Sequence, residues 1–135
     1  MAVRPGLKPF GFSAIELMVV VIIIGILATM ALPNFSKAAE RARIRSALAV
    51  LSAIHSAERV YYLDQGEYGT DTDLWVNNNY LANPNSDPDW SFRVGTGRAP
   101  FSAVAHRTSG SYKDNEIRFN GTDYECGSYP SSLCP

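Results

Sequence analysis

The chain has 135 residues, of which 46% are hydrophobic and 19% charged, and its formal net charge is −1. That length holds one domain with a modest core rather than several. The near-balanced charge excludes the uniformly basic footprint of a nucleic-acid-binding protein.

Residues 1–11 are short and basic, with Arg4 and Lys8 and no acid, and end in the junction Gly11-Phe12. Residues 17 to 35 carry no formal charge, and as a helix they would reach roughly 28 Å, close to a bilayer core. This stretch belongs in a membrane or somewhere equally dry. Glu16 stands at its start, where centring a charge in hydrocarbon costs about 2.5 to 3.5 kcal/mol, so the carboxylate calls for a cationic partner. The open N–H groups and macrodipole of the helix N-terminus favour an acid there as well. A secretory signal would put its cleavage site after the apolar region and discard it; here the junction precedes that region.

These residues resemble the class III signal sequences of type IV pilins and pseudopilins: a short basic leader, Gly11 then Phe12, Glu16 as the fifth residue after the junction, a long apolar helix, and Ala31-Leu32-Pro33-Asn34-Phe35. The resemblance implies cleavage after Gly11 by a prepilin peptidase, N-methylation of Phe12, and pairing of Glu16 with the terminal amine of a neighbouring subunit. The helix would serve first as a membrane anchor and then as a filament core. Ser13-Ala14 departs from the family's commoner Thr-Leu pair, at positions that carry neither the charge nor the cleavage. Without Arg4 and Lys8, ten basic side chains face thirteen acidic ones. The new α-amino group of Phe12 and the Glu16 carboxylate both need neutralising in an apolar setting, and an axially staggered neighbour supplies that.

Charge alone does not set the orientation. The far flank carries Lys37, Arg41, Arg43 and Arg45 against Glu40, so the basic residues do not favour the leader side as cytoplasmic. The resemblance decides it, placing the C-terminal part outside the cytoplasm.

Beyond Pro33 the pattern stays helical. Ala47, Val50, Ile54, Ala57 and Tyr61 follow 3,4,3,4 spacing, widened by Ile44, Leu48 and Leu51, which predicts an amphipathic helix over 36–65 stopped by Gly66. Helix throughout 13–65 would make a rod of roughly 80 Å. Pro33 has no N–H and its ring crowds the carbonyl of Thr29, so a kink is expected, and Gly25 weakens the segment further. The family's filaments suggest local unwinding near Gly25 and Pro33.

From residue 67 the composition shifts to turn formers and acids: Gly69, Asp71, Asp73, Asn77-Asn78-Asn79, Asn83-Pro84-Asn85, Asp87-Pro88-Asp89. This reads as a long connection of solvated turns; the acids match no EF-hand spacing. Trp90, Phe92 and Val94 alternate with Ser91 and Arg93 as a half-buried strand, and residues 101 to 107 form a second. Residues 116–119 and 122–125 around Asn120-Gly121 read as a hairpin with a two-residue turn. That register sets Ile117 opposite Tyr124, Arg118 opposite Asp123, and Glu116 opposite Glu125, the last pair a repulsion. The turn also explains the glycosylation sequon Asn120-Gly121-Thr122.

Cys126 and Cys134 lie in the last ten residues. The orientation implied by the resemblance puts them in an oxidising compartment, where a disulfide closing a small loop is expected. In position the loop resembles the C-terminal disulfide loop of many pilins, as a staple to the sheet or a contact surface. His55 and Glu58 are three apart on the helix; two ligands without a third read as a solvated helix face rather than a metal site. His106 falls in a strand. No phosphate-cradling loop, nucleophile elbow or catalytic constellation is present, and no cofactor or metal is expected.

The expected fold class is α+β: a long N-terminal helix spine, transmembrane in its first half and amphipathic in its second, packed against a three- or four-stranded antiparallel sheet. The expected parts are a cleaved leader (1–11), a hydrophobic transmembrane and assembly helix (12–35), and a headgroup (36–135). The expected function is that of a non-enzymatic structural subunit of a type IV pilus, with a type II secretion pseudopilin or a minor or competence pilin as alternatives. Implied partners are further pilins in a filament, the prepilin peptidase, the inner-membrane pilus or secretion machinery and the membrane itself. Nucleic acid enters only for a competence pilus. The precursor would sit in the bacterial inner membrane and the product in an extracellular pilus or periplasmic pseudopilus. A singly anchored monomeric enzyme or binding protein would instead keep residues 1–11 and form no oligomer.

Overall fold

The structure, a computed structural model, describes residues 11–77, 80–95 and 101–134. The expected leader apart from Gly11, and Asn78 and Asn79 of the asparagine run, lie outside the described residues. The chain divides into two compact units, one up to Ala38 and one from Ala39 onward.

In the first unit, helix α1 (Ala14–Gln65) begins. Its first bond runs from the Leu17 N–H to the Ser13 carbonyl at 3.2 Å, so Ser13 takes the N-cap position, where serine is favoured. Ser13-Ala14-Ile15-Glu16 is the Ser-x-x-Glu order of a capping box, with Glu16 in the first turn, where the macrodipole favours an acid. The helix continues through Gly25 and Pro33. Thr29 Oγ1 donates to the Ile26 carbonyl at 2.7 Å and Ser36 Oγ to the Leu32 carbonyl at 3.2 Å. Both are back-bonds to carbonyls of the preceding turn, and neither reaches the Thr29 carbonyl, which proline at position 33 cannot serve.

In the second unit, α1 turns one face inward through Ile44, Ala47, Leu51, Ile54, Ala57 and Tyr61. Val50 and Leu48, expected in the same stripe, flank it half-buried. The helix stops at Gly66, whose N–H bonds the Tyr62 carbonyl at 2.8 Å and whose φ is +81°. Glycine there ends the helix without Cβ strain.

The chain then enters a connection that is more packed than its polar composition suggests. A π-helical turn (Thr72–Asn77) buries Leu74 and Trp75, and a 3-10 turn (Pro84–Ser86) follows. The acids and asparagines of this stretch act as backbone partners. Asp73 Oδ2 accepts from the N–H and hydroxyl of Thr70, Asp71 Oδ1 from the Val94 N–H, and Asn85 Oδ1 from the Phe92 N–H. Asn85 Nδ2 in turn donates to the Phe92 carbonyl. Asp71 and Asn85 thereby satisfy backbone groups along a sheet edge.

Four strands form an antiparallel meander in the order β1 (Trp90–Val94), β2 (Ala103–Arg107), β3 (Glu116–Phe119), β4 (Tyr124–Cys126). Period-two alternation sends Trp90, Phe92, Ala103, Ala105, Ile117 and Phe119 inward to the helix stripe. The two alanines keep the centre of the sheet thin.

The last hairpin corrects the expected register. Ile117 faces Cys126, Arg118 faces Glu125 and Phe119 faces Tyr124. The connection is Asn120 to Asp123, four residues rather than two, because Asn120 Oδ1 accepts from the N–H groups of both Thr122 and Asp123 at 2.9 and 2.7 Å. This side-chain turn outcompetes the tighter one. The two-residue slip keeps each side chain on its expected face, replaces the Glu116–Glu125 repulsion with Arg118 opposite Glu125, and stacks Phe119 on Tyr124 at 4.4 Å. Gly121 takes φ +94°, and an added Cβ there would come within 3.2 Å of His55 Nε2.

Candidate functional site

The candidate assembly segment occupies the first unit. Gly11, Phe12 and Glu16 are all exposed, Phe12 by 74%. An 18-residue apolar window of α1 has no buried residue, and by length and composition the helix is able to cross a membrane. Large apolar side chains from Ile15 to Phe35 lie open in the single chain, far beyond the scattered apolar exposure of an ordinary surface. Pro33 leaves the Thr29 carbonyl without its usual helical donor.

The second unit holds an ionic cluster unforeseen in the sequence. Arg107, 1% exposed, faces inward at the end of β2. Its Nε and Nη2 lie 3.4 and 3.5 Å from the Glu40 oxygens, and its Nη1 lies 3.3 Å from Asp89 Oδ1. The Nε–Glu40 contact is ionic without hydrogen-bond alignment. Nη1 also donates to the Asp89 carbonyl at 3.0 Å, and the guanidinium sits 5.1 Å above the Trp90 ring, a cation–π arrangement. Arg43 bridges the two acids at 3.3 Å from each. A hydrogen bond donated by the Ser109 hydroxyl to Asp89, with the Arg107 and Arg43 charges, holds that carboxyl below the usual range. Tyr129, stacked on Tyr112, is pushed up to about 12 by burial and by the Glu40 charge. Two sequence signals could have found this cluster. Arg107 shares the inward parity of Ala103 and Ala105, and Glu40 precedes Ile44 by four residues on the helix stripe.

Cys126 and Cys134 form the expected disulfide, with Cα atoms 6.1 Å apart. Tyr129 and Leu133 within the loop are buried, and Arg41 Nε and Nη2 donate to the Ser132 carbonyl at 3.2 and 3.1 Å. The tail is thus stapled to both sheet and helix.

His55 and Glu58 are not a solvated face. His55 lies between Phe101 and Phe119, with centroids at 4.9 and 5.6 Å, and burial followed by the Arg59 charge lowers its pKa. Glu58 is fully buried, and its Oε2 accepts from the Gly69 N–H at 2.9 Å. Burial raises its pKa against that bond, and the Asp73 charge adds to the rise. His106 faces outward on β2, 3.8 Å from Asp114. Among the described residues no group of three metal-ligating side chains gathers.

The chain is similar to several proteins of assigned role. It is 39% identical over 79 residues to a fimbrial protein of Neisseria meningitidis, a match spanning 58% of this chain and 42% of that protein. It is 43% identical over 58 residues to a type IV major pilin of Myxococcus xanthus, covering 43% of this chain and 26% of the pilin. A type II secretion system core protein G of Escherichia coli matches at 38% over 63 residues, 47% of this chain and 43% of that protein. The chain spans less than half the length of each of these relatives. No family model matches it, and no solved structure matches it significantly. Over 43 to 58% of its length the chain is thus similar to type IV pilins and to a type II secretion core protein, and it carries an apolar N-terminal helix and an α+β architecture of its own.

Proposed function

We propose that the chain is a structural, non-enzymatic subunit of a type IV pilus. The observation that carries this reading is the apolar window of α1, which has no cover in the single chain. Water is an untenable surrounding for it, at about 1.5 to 3 kcal/mol per large side chain left exposed. A bilayer and a bundle of identical helices both relieve that cost.

Because lipid tails are as apolar as leucine, moving the helix from membrane to bundle gains little hydrophobic free energy. The difference between the two states then rests on packing and on charge. Glu16 supplies the charge. Cleavage after Gly11 would expose the amine of Phe12, to be N-methylated, and a staggered neighbour's amine would neutralise the Glu16 carboxylate. Left unpaired at depth in lipid, an acid costs about 2.5 to 3.5 kcal/mol, so the ion pair favours assembly and fixes the axial register. Gly25 and Pro33 lower the cost of unwinding the helix between them where neighbours crowd, supported by the carbonyl that Pro33 leaves open.

The precursor would lie in the bacterial inner membrane with its C-terminal unit outside the cytoplasm, and would pass through the prepilin peptidase and pilus machinery into a filament of its own kind. The test is incorporation into sheared surface fibres in a host carrying that machinery. Glu16→Ala is expected to abolish incorporation while the precursor remains in the membrane; normal incorporation would remove the assigned role of the carboxylate. The relative from Escherichia coli favours a second reading, a periplasmic pseudopilus subunit of type II secretion, under which loss of the chain would block export of a secreted substrate and leave surface fibres intact.

A further inference from the structure

The basic residues after the apolar run oppose the usual charge bias of membrane proteins, and three arginines there divide sharply by environment. Arg43 is committed to Glu40 and Asp89. Arg41 and Arg45, one turn apart on the exposed face, have no carboxylate within ion-pair distance among the described residues. Instead they line a cavity of about 150 Å³ with Ile44, Ser132, Leu133 and Cys134. The Ser132 carbonyl accepts from two nitrogens of Arg41 and so fixes the plane of that guanidinium, while the Cys126–Cys134 bridge holds the loop that forms the cavity's far wall.

We infer that this cavity binds the phosphate of an anionic phospholipid headgroup. Two adjacent guanidiniums, one of them immobilised, suit a phosphodiester, which takes parallel N–H donors that a lone ammonium cannot supply. A cavity of about 150 Å³ is of a size to take a phosphate group rather than an acyl chain, which the ligand would leave in the bilayer. Arg41 follows Phe35, the last residue of the apolar run, by six positions, so an inserted helix brings the two guanidiniums towards the phosphate layer of the leaflet that the chain emerges from. The inference rests on the membrane-anchored reading and extends it: the contact exists only in the bilayer, and leaving for a filament requires its release. It also accounts for positive charge on the flank where topology alone disfavours it.

The test uses the chain from Phe12 onward in nanodiscs of phosphatidylcholine, with and without phosphatidylglycerol, and in plain discs with added inorganic phosphate. The readouts are lipid retention by native mass spectrometry and the guanidinium 15N shifts of Arg41 and Arg45. Arg41→Gln/Arg45→Gln is expected to retain phosphatidylglycerol roughly thirtyfold more weakly, the ratio equivalent to about 1 kcal/mol for each basic residue at an anionic surface. Arg41→Lys/Arg45→Lys, which keeps the charge but not the paired donors, should fall between. Equal retention by all three inserted chains overturns the site, as does a fibre defect of the glutamine variant with unchanged lipid retention, which would assign the arginines to a neighbouring subunit's acids. Shifts produced by inorganic phosphate alone, with no response to phosphatidylglycerol, overturn the lipid assignment. Failure of the chain to insert at all would remove the anchor reading and this site with it, an outcome distinct from indifference to headgroup in a chain that inserts.

Discussion

Replacing Arg107 with methionine tests whether the ionic cluster holds the second unit together. The substitution roughly preserves length and apolar packing but strips two acids of their main partner. Asp89 has recourse: its side chain is 32% exposed, and it keeps Arg43 at 3.3 Å and the Ser109 hydroxyl. Glu40 does not; its side chain is 6% exposed, leaving only Arg43, itself 48% exposed. Removing one member of a buried pair costs about 3 to 5 kcal/mol, and the residual Arg43 contact argues for the lower end. A domain of this size has about 5 to 15 kcal/mol in total. With a urea slope of about 1 to 3 kcal/mol per M, the midpoint should drop by roughly 1 to 3 M. Fluorescence follows it directly, since Trp90 lies under the guanidinium. Glu40→Leu/Arg107→Met removes both charges and should recover most of the loss, because an apolar pair avoids the desolvation both ions suffer. A single variant unfolding within about 0.5 M of the parent, or a double variant worse than the single, would refute the cluster's role.

Glu58 makes a pH prediction of definite sign. Its pKa is raised in the folded state, chiefly by burial, so the associated stability is fully present below the ordinary glutamate range and is lost as pH rises through the elevated folded value. Glu58→Gln keeps an acceptor for the Gly69 N–H and should flatten that decline, leaving the variant more stable than the parent at neutral pH in thermal melts; a parallel profile would contradict it. Asp73 and Asp89 run the other way. Their pKa values are lowered, by the Thr70 and Ser109 bonds respectively before other causes, so their contribution is lost as pH falls through the folded values, and Asp73→Asn should weaken the acid limb of the same profile. Reducing the disulfide, which spans a separation of 8 residues, should cost about 2 to 3 kcal/mol by loop-entropy reasoning; Cys126→Ser/Cys134→Ser melting unchanged would mean that Tyr129 and Leu133 dock the loop unaided.

The spine and the sheet were legible because their periodicities are long and consistent. Residues 44 to 61 repeat at helical spacing, Trp90 to Val94 alternate, and Gly66 and Gly121 sit where positive φ is required. Where the reading failed, side chains were bonding backbone. Asn120 widened the hairpin turn, and Asp71, Asp73 and Asn85 tied down a connection that its composition presented as solvated. Charge marks exposure only on average, so the inward faces of Glu40, Glu58 and Arg107 were hidden by their residue types although position pointed to them. The proposed assembly segment is the converse case. Gly11, Phe12, Glu16 and the apolar run form a linear signal, readable without a fold, whereas the partner proposed for Glu16 would belong to another chain.

The most direct measurement is the intact mass of this chain recovered from sheared surface fibres, with sequencing of its N-terminus. The account predicts fibres built from a chain that begins at N-methylated Phe12, its Cys126–Cys134 bridge intact. A chain found only in membranes, still carrying residues 1–11 and absent from every fibre in a host with working assembly machinery, would contradict it.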